Sequence, residues 1–353
     1  MSDPVRDAVI HVAPGDDAPR VAGVPLCVRA ILVLQRAGIT RVRIAGGDVP
    51  VDPRIRTTVV RDDAGWPVPH LAVGGGAVFD VALAQALATS SEAVRYEVDG
   101  AFVELVTGAA PRRDLHPAHG VLVAASAPRG VVEQALLRGL ENPRDGYLDR
   151  LIHRHLSRPV TRLILPTSLT PNHVTILGVL IGIVGGLLLG APTSWGVWAG
   201  VAALVISGVL DCCDGEVARI KLSESKMGHV LDITGDTLVH VSLLTGVAMQ
   251  LGRLGVWPGT PTLWLLGVGV LASFGAITWS EQTEVRRHRV ADAWENRVLE
   301  GVLSPLTTRD WYVFPIAFAL AGRLDELVPA AAWGAQGFWV AVVVLVIRVL
   351  RRT

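Results

Sequence analysis

Cysteine is scarce in this sequence, and its placement excludes two kinds of structure. Among the 353 residues there are three cysteines, of which Cys212 and Cys213 are neighbours and Cys27 lies far from both in the sequence. Neither a disulfide framework nor a set of zinc ligands with the usual spacing can be assembled from them.

Net charge is lacking too, because 32 basic and 32 acidic residues sum to zero at pH 7. The chain therefore offers no long-range attraction for nucleic acid, which we exclude as a partner.

The first residues lack a long apolar stretch. The segment MSDPVRDAVIHVAPGDDAP contains acids and prolines, which is unlike a secretory signal peptide. Residues 7–140 alternate short β-branched runs with amphipathic segments, a pattern that predicts a small α/β domain with a largely parallel sheet. The segments VRYEV and AFVELV flank Asp99 and Gly100, which predicts a hairpin. We expect this domain, residues 1–140, to lie in the cytoplasm.

Long apolar runs are concentrated in the C-terminal half. Half of all residues are hydrophobic and the mean hydropathy is +0.44. A helix needs about 18 or more apolar residues to cross a hydrocarbon core of about 30 Å. On this basis residues 169–353 form an all-α membrane domain with about six spans. The predicted spans are residues 172–191, 194–213, 227–251, 261–280, 310–326 and 331–349.

The distribution of basic residues predicts the orientation of these spans. If the spans alternate, Arg253 and Arg323 fall on one side of the membrane and most other basic residues near the spans fall on the opposite side. By the positive-inside rule both termini are cytoplasmic, and we expect a multi-pass protein of the cell membrane. Residues 141–168 carry a leucine stripe flanked by arginines. They predict an amphipathic helix on the membrane surface, although a soluble linker helix has the same pattern.

Four aspartates stand among the apolar helices, where an ionised carboxylate is costly. Asp211 and Asp214 are three residues apart at the end of the second predicted span, whereas Asp232 and Asp236 are four apart at the start of the third. Each pair therefore shares one face of its helix. The short connection IKLSESK makes the two spans an antiparallel pair. The four carboxylates are thus predicted to converge at the cytoplasmic edge of the bundle.

Divalent cations would relieve the repulsion within this cluster. Ligand sets made only of oxygen favour Mg²⁺ or Mn²⁺ over zinc, and four acids could hold one or two ions with positions left open for phosphate oxygens. Gly215 and Gly228 would let helices or a ligand come close, and Arg219 would suit a phosphate. Other interpretations are open: an intramembrane aspartate could relay protons, a membrane glycine could serve packing alone, and a solvated loop could carry several acids.

The segment DCCDGEVARIKLSESKMGHVLDITGD, residues 211–236, resembles the signature of the CDP-alcohol phosphotransferase family at every signature position. Similarity continues in LTPNHVT before the first predicted span, in TRDWYVF at the fifth, and in the number of spans. The resemblance implies an integral membrane enzyme of phospholipid biosynthesis. Such an enzyme moves a phosphatidyl or phospho-alcohol group from a CDP-linked donor, such as CDP-diacylglycerol, to a hydroxyl acceptor and releases CMP. The resemblance also implies a homodimer.

The same resemblance implies roles for individual residues. Asp211, Asp214, Asp232 and Asp236 would hold the metal ions, and Asp236 would also face the acceptor and remove its proton. CDP would be bound by Asp211, Gly215, Ala218, Arg219 and Gly228. The acceptor is left open by the motif, and a polyol phosphate is one candidate. Its phosphate could be bound by arginines that could equally be orientation signals, namely Arg286, Arg287, Arg289 and Arg309.

The segment VAGVPLCVRAILVLQRAGITRVRIAGG is similar to the Rossmann-like core of sugar-phosphate nucleotidyltransferases. The glycine-rich phosphate loop of those enzymes is replaced here by APGDDAPRVAG, and Val24 stands where a lysine usually precedes the Pro-Leu pair. We therefore expect a degenerate domain that serves assembly or regulation, although an active one would make the CDP-alcohol. The glycines of VGGGAVFDVAL predict a turn before a helix, either a plain strand-to-helix turn or an anion-binding one.

A different class of function also fits the acids. A cation or proton carrier could use the same intramembrane carboxylates without any transferase activity. That alternative leaves the spacing of Gly215 and Arg219 unexplained.

Overall fold

The computed structural model describes most of the chain. The described residues are 5–12, 20–46, 48, 50–61, 68–74, 76–114, 120–140, 154–255, 259–283, 294–303 and 313–352. The chain divides into two compact units, which we call the α/β unit and the helical unit. The α/β unit comprises residues 1–141, 161–168 and 216–224, and the helical unit comprises residues 142–160, 169–215 and 225–353.

The strands of the α/β unit are short. Their bounds are β1 Asp7–His11, β2 Arg20–Val21, β3 Val24–Pro25, β4 Arg41–Ala45, β5 Thr58–Arg61, β6 His70–Gly74, β7 Ala77–Phe79, β8 Val94–Val98, β9 Ala101–Val106, β10 Arg112–Asp114 and β11 Leu122–Ala124. Seven strands form one sheet in the order β10-β8-β9-β6-β1-β4-β5. Four of its pairings are parallel and two are antiparallel. The predicted α/β class is confirmed, with a mixed sheet.

The predicted hairpin is present between β8 and β9. Val98 pairs with Ala101, so Asp99 and Gly100 form the two-residue loop. Both loop residues have positive φ, +49° at Asp99 and +80° at Gly100. Asp-Gly suits this turn because aspartate and glycine tolerate the left-handed region better than other residues do.

Three helices belong wholly to the α/β unit: α1 Leu26–Arg36, α2 Val81–Ala88 and α3 Arg129–Arg138. Apolar residues of α1 and α2, such as Ile31 and Leu83, share a buried cluster with Val42 and Ile44 of β4. The glycine turn predicted to lead into a helix is followed instead by strand β7. One residue, Asp80, separates that strand from α2. The Asp80 carboxylate accepts a 3.0 Å hydrogen bond from the Leu83 N–H. The N-terminus of α2 is therefore capped by the chain itself.

The remaining helices are mostly those of the helical unit. Their bounds are α4 Arg154–Ile164, α5 Pro171–Leu188, α6 Ser194–Ile220, α7 Lys226–Arg253, α8 Gly259–Gln282, α9 Trp294–Val298, α10 Val313–Leu320 and α11 Leu327–Leu350. A π-helical turn, Leu299–Leu303, follows α9, and a 3₁₀ turn, Leu324–Glu326, precedes α11. The last residues of α4 and of α6 belong to the α/β unit.

Within the described residues, five helices are long and apolar enough to cross a membrane. They are Pro171–Leu188, Ser194–Ile220, Lys226–Arg253, Gly259–Ser280 and Leu324–Leu350. The fifth predicted span, residues 310–326, is described only in part and contains the eight-residue helix α10. The prediction of a helical membrane region with about six spans agrees with this architecture.

Glycines bring α5 close to its neighbours. A Cβ placed on Gly186 of α5 would meet the Leu243 N atom and the Ser242 side chain of α7, and one placed on Gly182 would meet Ser207 and Val239. These glycines of α5 therefore pack helices of this chain against one another.

Candidate metal and substrate site

Three of the four predicted aspartates come together in the helical unit. Asp211 and Asp214 lie on α6, and Asp232 lies on α7. One carboxylate oxygen from each residue lies within 4.8 Å of the other two. Asp214 is buried, whereas Asp211 and Asp232 are half-buried. The i, i+3 spacing puts the first two on one face of α6, and α7 brings the third to them.

The start of α7 is fixed by its own sequence. Ser225 is the N-cap residue, and its hydroxyl accepts a 3.0 Å hydrogen bond from the Gly228 N–H. Asp232 follows about two helical turns later, on the half-buried side of α7. The cap therefore determines where along α7 this carboxylate stands.

A threonine holds the most buried of the three carboxylates. Thr175 of α5 is buried, and its hydroxyl lies 2.5 Å from Oδ2 of Asp214, to which it donates a hydrogen bond. The same hydroxyl lies 3.1 Å from the Pro171 carbonyl oxygen. Thr175 is part of the LTPNHVT segment, but sequence reasoning gave it no role. Its spacing from Pro171 puts both residues on one face of the first turns of α5, but this spacing does not indicate which helix that face meets.

The donor set fits a hard divalent cation. The three converging ligands are all carboxylates, and no histidine or cysteine belongs to the group. Oxygen ligands suit Mg²⁺ and Mn²⁺, whereas a zinc site usually includes nitrogen or sulfur. Without a cation, three carboxylates this close would repel one another strongly. Asp211, Asp214 and Asp232 are therefore the residues that would hold a metal ion here.

Asp236 lies outside this three-residue group. It stands four residues after Asp232 on α7 and is half-buried, so it shares the face of α7 that carries Asp232. Its roles as a fourth metal ligand and as the base stay predictions.

The predicted CDP-binding residues follow the acids along the same two helices. Gly215, Ala218 and Arg219 continue α6 beyond Asp214, all of them half-buried. Gly228 lies in the first turn of α7, where a Cβ would stand 3.3 Å from Oδ1 of Asn172. This proximity places Asn172, to which sequence reasoning gave no role, beside the predicted site. The predicted acceptor residues Arg286, Arg287, Arg289 and Arg309 lie outside the described residues.

Apolar helices with converging carboxylates define a multi-pass membrane protein with a candidate metal site. The model of the CDP-alcohol phosphatidyltransferase family matches residues 168–347. The chain belongs to this family, which is a family of transferases.

The chain is also similar to curated members of the family. It is 32% identical to the "Bifunctional IPC transferase and DIPP synthase" of Rubrobacter xylanophilus over 148 residues. The aligned segment covers 42% of this chain and 33% of that protein. The protein of the same name from Aquifex aeolicus is 32% identical over 204 residues, 56% of this chain and 44% of the relative. The "Phosphatidylinositol phosphate synthase" of Mycobacteroides abscessus is 30% identical over 102 residues, 29% of this chain and 46% of the relative. The chain thus spans less than half the length of each of these relatives.

Proposed function

We propose that this protein is a metal-dependent CDP-alcohol phosphotransferase of the membrane that works in phospholipid biosynthesis. It moves a phosphatidyl or phospho-alcohol group from a CDP-linked donor to a hydroxyl acceptor. The observation that carries the proposal is the convergence of Asp211, Asp214 and Asp232 in a chain of this family. A carrier that uses the same acids gains no support from the family match.

The reaction exchanges the phosphoanhydride bond of the donor for a new phosphoester bond. The acceptor hydroxyl oxygen forms a new bond to the phosphorus that carries the alcohol group, and the bond from that phosphorus to the CMP oxygen breaks. A bound divalent cation would supply positive charge to the phosphates. Asp236 accepts the proton that the acceptor hydroxyl loses, as a general base. CMP leaves with the electron pair of the broken bond.

The protein's own residues prepare this step. Thr175 holds Asp214 in one orientation through its 2.5 Å hydrogen bond, so that a ligand carboxylate need not reorient when the cation binds. Arg219, which offers a planar set of donors, binds a phosphate of the donor. Gly215, Ala218 and Gly228 leave room for the cytidine end of the donor because their side chains are absent or small.

The donor is CDP-diacylglycerol or another CDP-alcohol, and we propose a polyol phosphate as the acceptor. Support for a phosphorylated acceptor comes from the similarity to a phosphatidylinositol phosphate synthase. Arg286, Arg287, Arg289 and Arg309 are candidates to bind its phosphate. We further propose a homodimer in the cell membrane with both termini in the cytoplasm, one or two Mg²⁺ or Mn²⁺ ions per site, and an α/β unit without nucleotidyltransferase activity.

The test is an acceptor screen with the purified full chain in detergent. CDP-diacylglycerol and Mg²⁺ are supplied with inositol phosphate, glycerol phosphate or no acceptor, and CMP and lipid products are identified by mass spectrometry. We expect CMP and one new phospholipid with a single acceptor class, and loss of both in the Asp236→Asn variant. CMP release that survives Asp236→Asn would rule out this base, and ion flux in vesicles without any CMP release would favour the carrier.

A further inference from the structure

The turn that joins the two ligand-bearing helices is unusual. We call residues 221–224 the α6–α7 turn; it lies between Asp214 and Asp232 in the sequence. The Ser223 N–H donates to the Ala218 carbonyl at 2.9 Å, and the Leu222 N–H donates to the Arg219 carbonyl at 3.2 Å. These two bonds form a Schellman motif, which ends a helix with a residue in the left-handed region.

Leucine occupies the left-handed position of this motif. Leu222 has φ +53°, a conformation that is disfavoured for residues with a Cβ and is usually given to glycine. Leu222 is 5% exposed and belongs to the same buried cluster as Ile31 and Leu34 of α1. Burial of this side chain in the α/β unit therefore offsets the unfavourable backbone conformation.

Two arginines of the α/β unit bind the carbonyl groups at the end of α6. Nη1 of Arg29 donates to the Ile220 carbonyl at 2.5 Å, and Nη1 of Arg54 donates to the Lys221 carbonyl at 3.0 Å. Arg54 is itself oriented by Asp52, since its Nη2 lies 2.7 Å from the Asp52 carboxylate. These bonds satisfy carbonyls that have no partner inside a helix.

Arg29 depends on this contact. It is 4% exposed, its Nε has no hydrogen-bond partner, and the Ile220 carbonyl is the acceptor that the described residues provide for it. Burial lowers the pKa of Arg29 to about 10, so the group is charged at neutral pH. A buried cation needs a compensating charge, and the negative end of the α6 dipole provides one.

An ion pair holds the other end of the turn. Nη1 of Arg36 lies 2.5 Å from Oε2 of Glu224, and both side chains are partly exposed. The α6–α7 turn is thus held along its length by a buried side chain, by arginine bonds to its backbone and by this pair.

We propose that the first stretch of the α/β unit, residues 1–141, acts as a clamp on the α6–α7 turn, which belongs to the same unit, and thereby sets the spacing between the metal ligands of α6 and that of α7. Arg29, Arg36, Arg54 and Leu222 are positioning residues in this proposal. Helix α6 is continuous from Asp214 to Ile220, so a displacement of its end by one residue moves Asp214 by about 1.5 Å along the axis. Divalent cations such as Mg²⁺ accept far smaller changes in ligand distance. The catalytic consequence of the clamp rests on the function proposed above.

Charge reversal at the exposed ion pair tests the clamp with little risk to folding. Three variants of the full chain in detergent are compared with the wild type: Arg36→Glu, Glu224→Arg and the double variant. Mn²⁺ binding is measured by electron paramagnetic resonance without nucleotide or acceptor, and the Mg²⁺ concentration for half-maximal CMP release is measured separately. We expect each single variant to bind Mn²⁺ at least threefold more weakly and the double variant to recover wild-type binding.

The matched control is Arg41→Glu, which breaks the Arg41–Asp7 pair elsewhere in the α/β unit. We expect this variant to bind Mn²⁺ as the wild type does. Wild-type Mn²⁺ binding in both single variants would overturn the clamp. Absence of CMP release from the wild type would overturn the proposed function instead, because Mn²⁺ binding is measured without catalysis.

A second substitution separates the clamp from a simple helix stop. Leu222→Gly relieves the backbone conformation but removes the buried side chain. If the turn only ends α6, this variant binds Mn²⁺ as the wild type does, and the clamp is refuted. We expect at least threefold weaker binding, with Arg29→Lys closer to the wild type than Arg29→Gln.

Discussion

The Thr175 hydroxyl donates a hydrogen bond over 2.5 Å to Oδ2 of Asp214, and both side chains are buried. A residue of α5 thereby orients a carboxylate of α6. Bonds of this kind from outside the ligand set fix the direction of a metal ligand and are costly to lose.

Removal of this hydroxyl should weaken metal binding. Thr175→Val keeps the shape of the side chain but removes the hydrogen bond that Thr175 donates to the buried Asp214 oxygen. We expect Mn²⁺ affinity to fall on the order of tenfold, measured by titration in detergent. Thr175→Ser retains a hydroxyl and serves as the control, with affinity near that of the wild type. Equal affinities in the valine and serine variants would show that the bond does not orient the ligand.

Neutralising the clustered acids should abolish metal binding in the same assay. Asp211→Asn, Asp214→Asn and Asp232→Asn each remove one negative charge and one strong ligand from the group. We expect each variant to lose more Mn²⁺ affinity than Thr175→Val, for which the expected loss is on the order of tenfold. Asp325→Asn is the control, because this half-buried acid of the helical unit lies in the 3₁₀ turn outside the group. Retained affinity in all three variants would contradict a metal site here.

Two glycines of α7 should respond differently to alanine. A Cβ on Gly246 would collide with the Gly186 carbonyl of α5, whereas a Cβ on Gly252 would meet no atom within 4 Å. Overpacking of this kind costs about 1–3 kcal/mol, so Gly246→Ala should lower the thermal midpoint in detergent by several degrees. Gly252→Ala should leave it unchanged or slightly raised, since alanine favours a helix more than glycine does. A similar midpoint for both variants would contradict the close packing of α5 and α7.

The thiol of Cys27 should react slowly at neutral pH. Burial raises the pKa of this thiol to about 11, and the reactive species is the thiolate. Because the raised pKa favours the neutral form below pH 11, alkylation should accelerate about tenfold for each pH unit between 7 and 10. The folded protein is labelled with iodoacetamide and then digested, and mass spectrometry of the peptide that contains Cys27 measures the rate. A peptide of residues 20–36 is the reference, and it should react faster at pH 7.

Much of the site could be predicted because its pattern is local. The separation of Asp211 from Asp214 puts both on one face of any helix, and the short connection to α7 allows few positions for Asp232. The apolar runs predicted the helical unit for the same reason, since span length depends only on the thickness of the bilayer. The Asp99–Gly100 hairpin was equally local, because its turn conformation restricts which residues can occupy it.

Contacts between distant parts of the sequence could not be predicted in this way. The bond from Thr175 to Asp214 depends on the rotation of α5 about its axis, which nearly uniform hydrophobicity leaves undetermined. Strand β7 was not predicted, since it is a strand only through pairing with β11, which comes more than 40 residues later in the sequence. Leu222 carried no signal of its own, since a leucine after a helix is ordinary until its φ and its burial are known.

The α/β unit is assembled from three separate stretches of sequence, residues 1–141, 161–168 and 216–224. Severing the chain near residue 140 would leave the front fragment with a gap where Leu222 inserts and with Arg29 lacking its acceptor. A chimera that takes residues 1–141 from a relative should therefore take the α6–α7 turn from the same relative. A graft that replaces only residues 1–141 would combine a foreign binding pocket with the native Leu222.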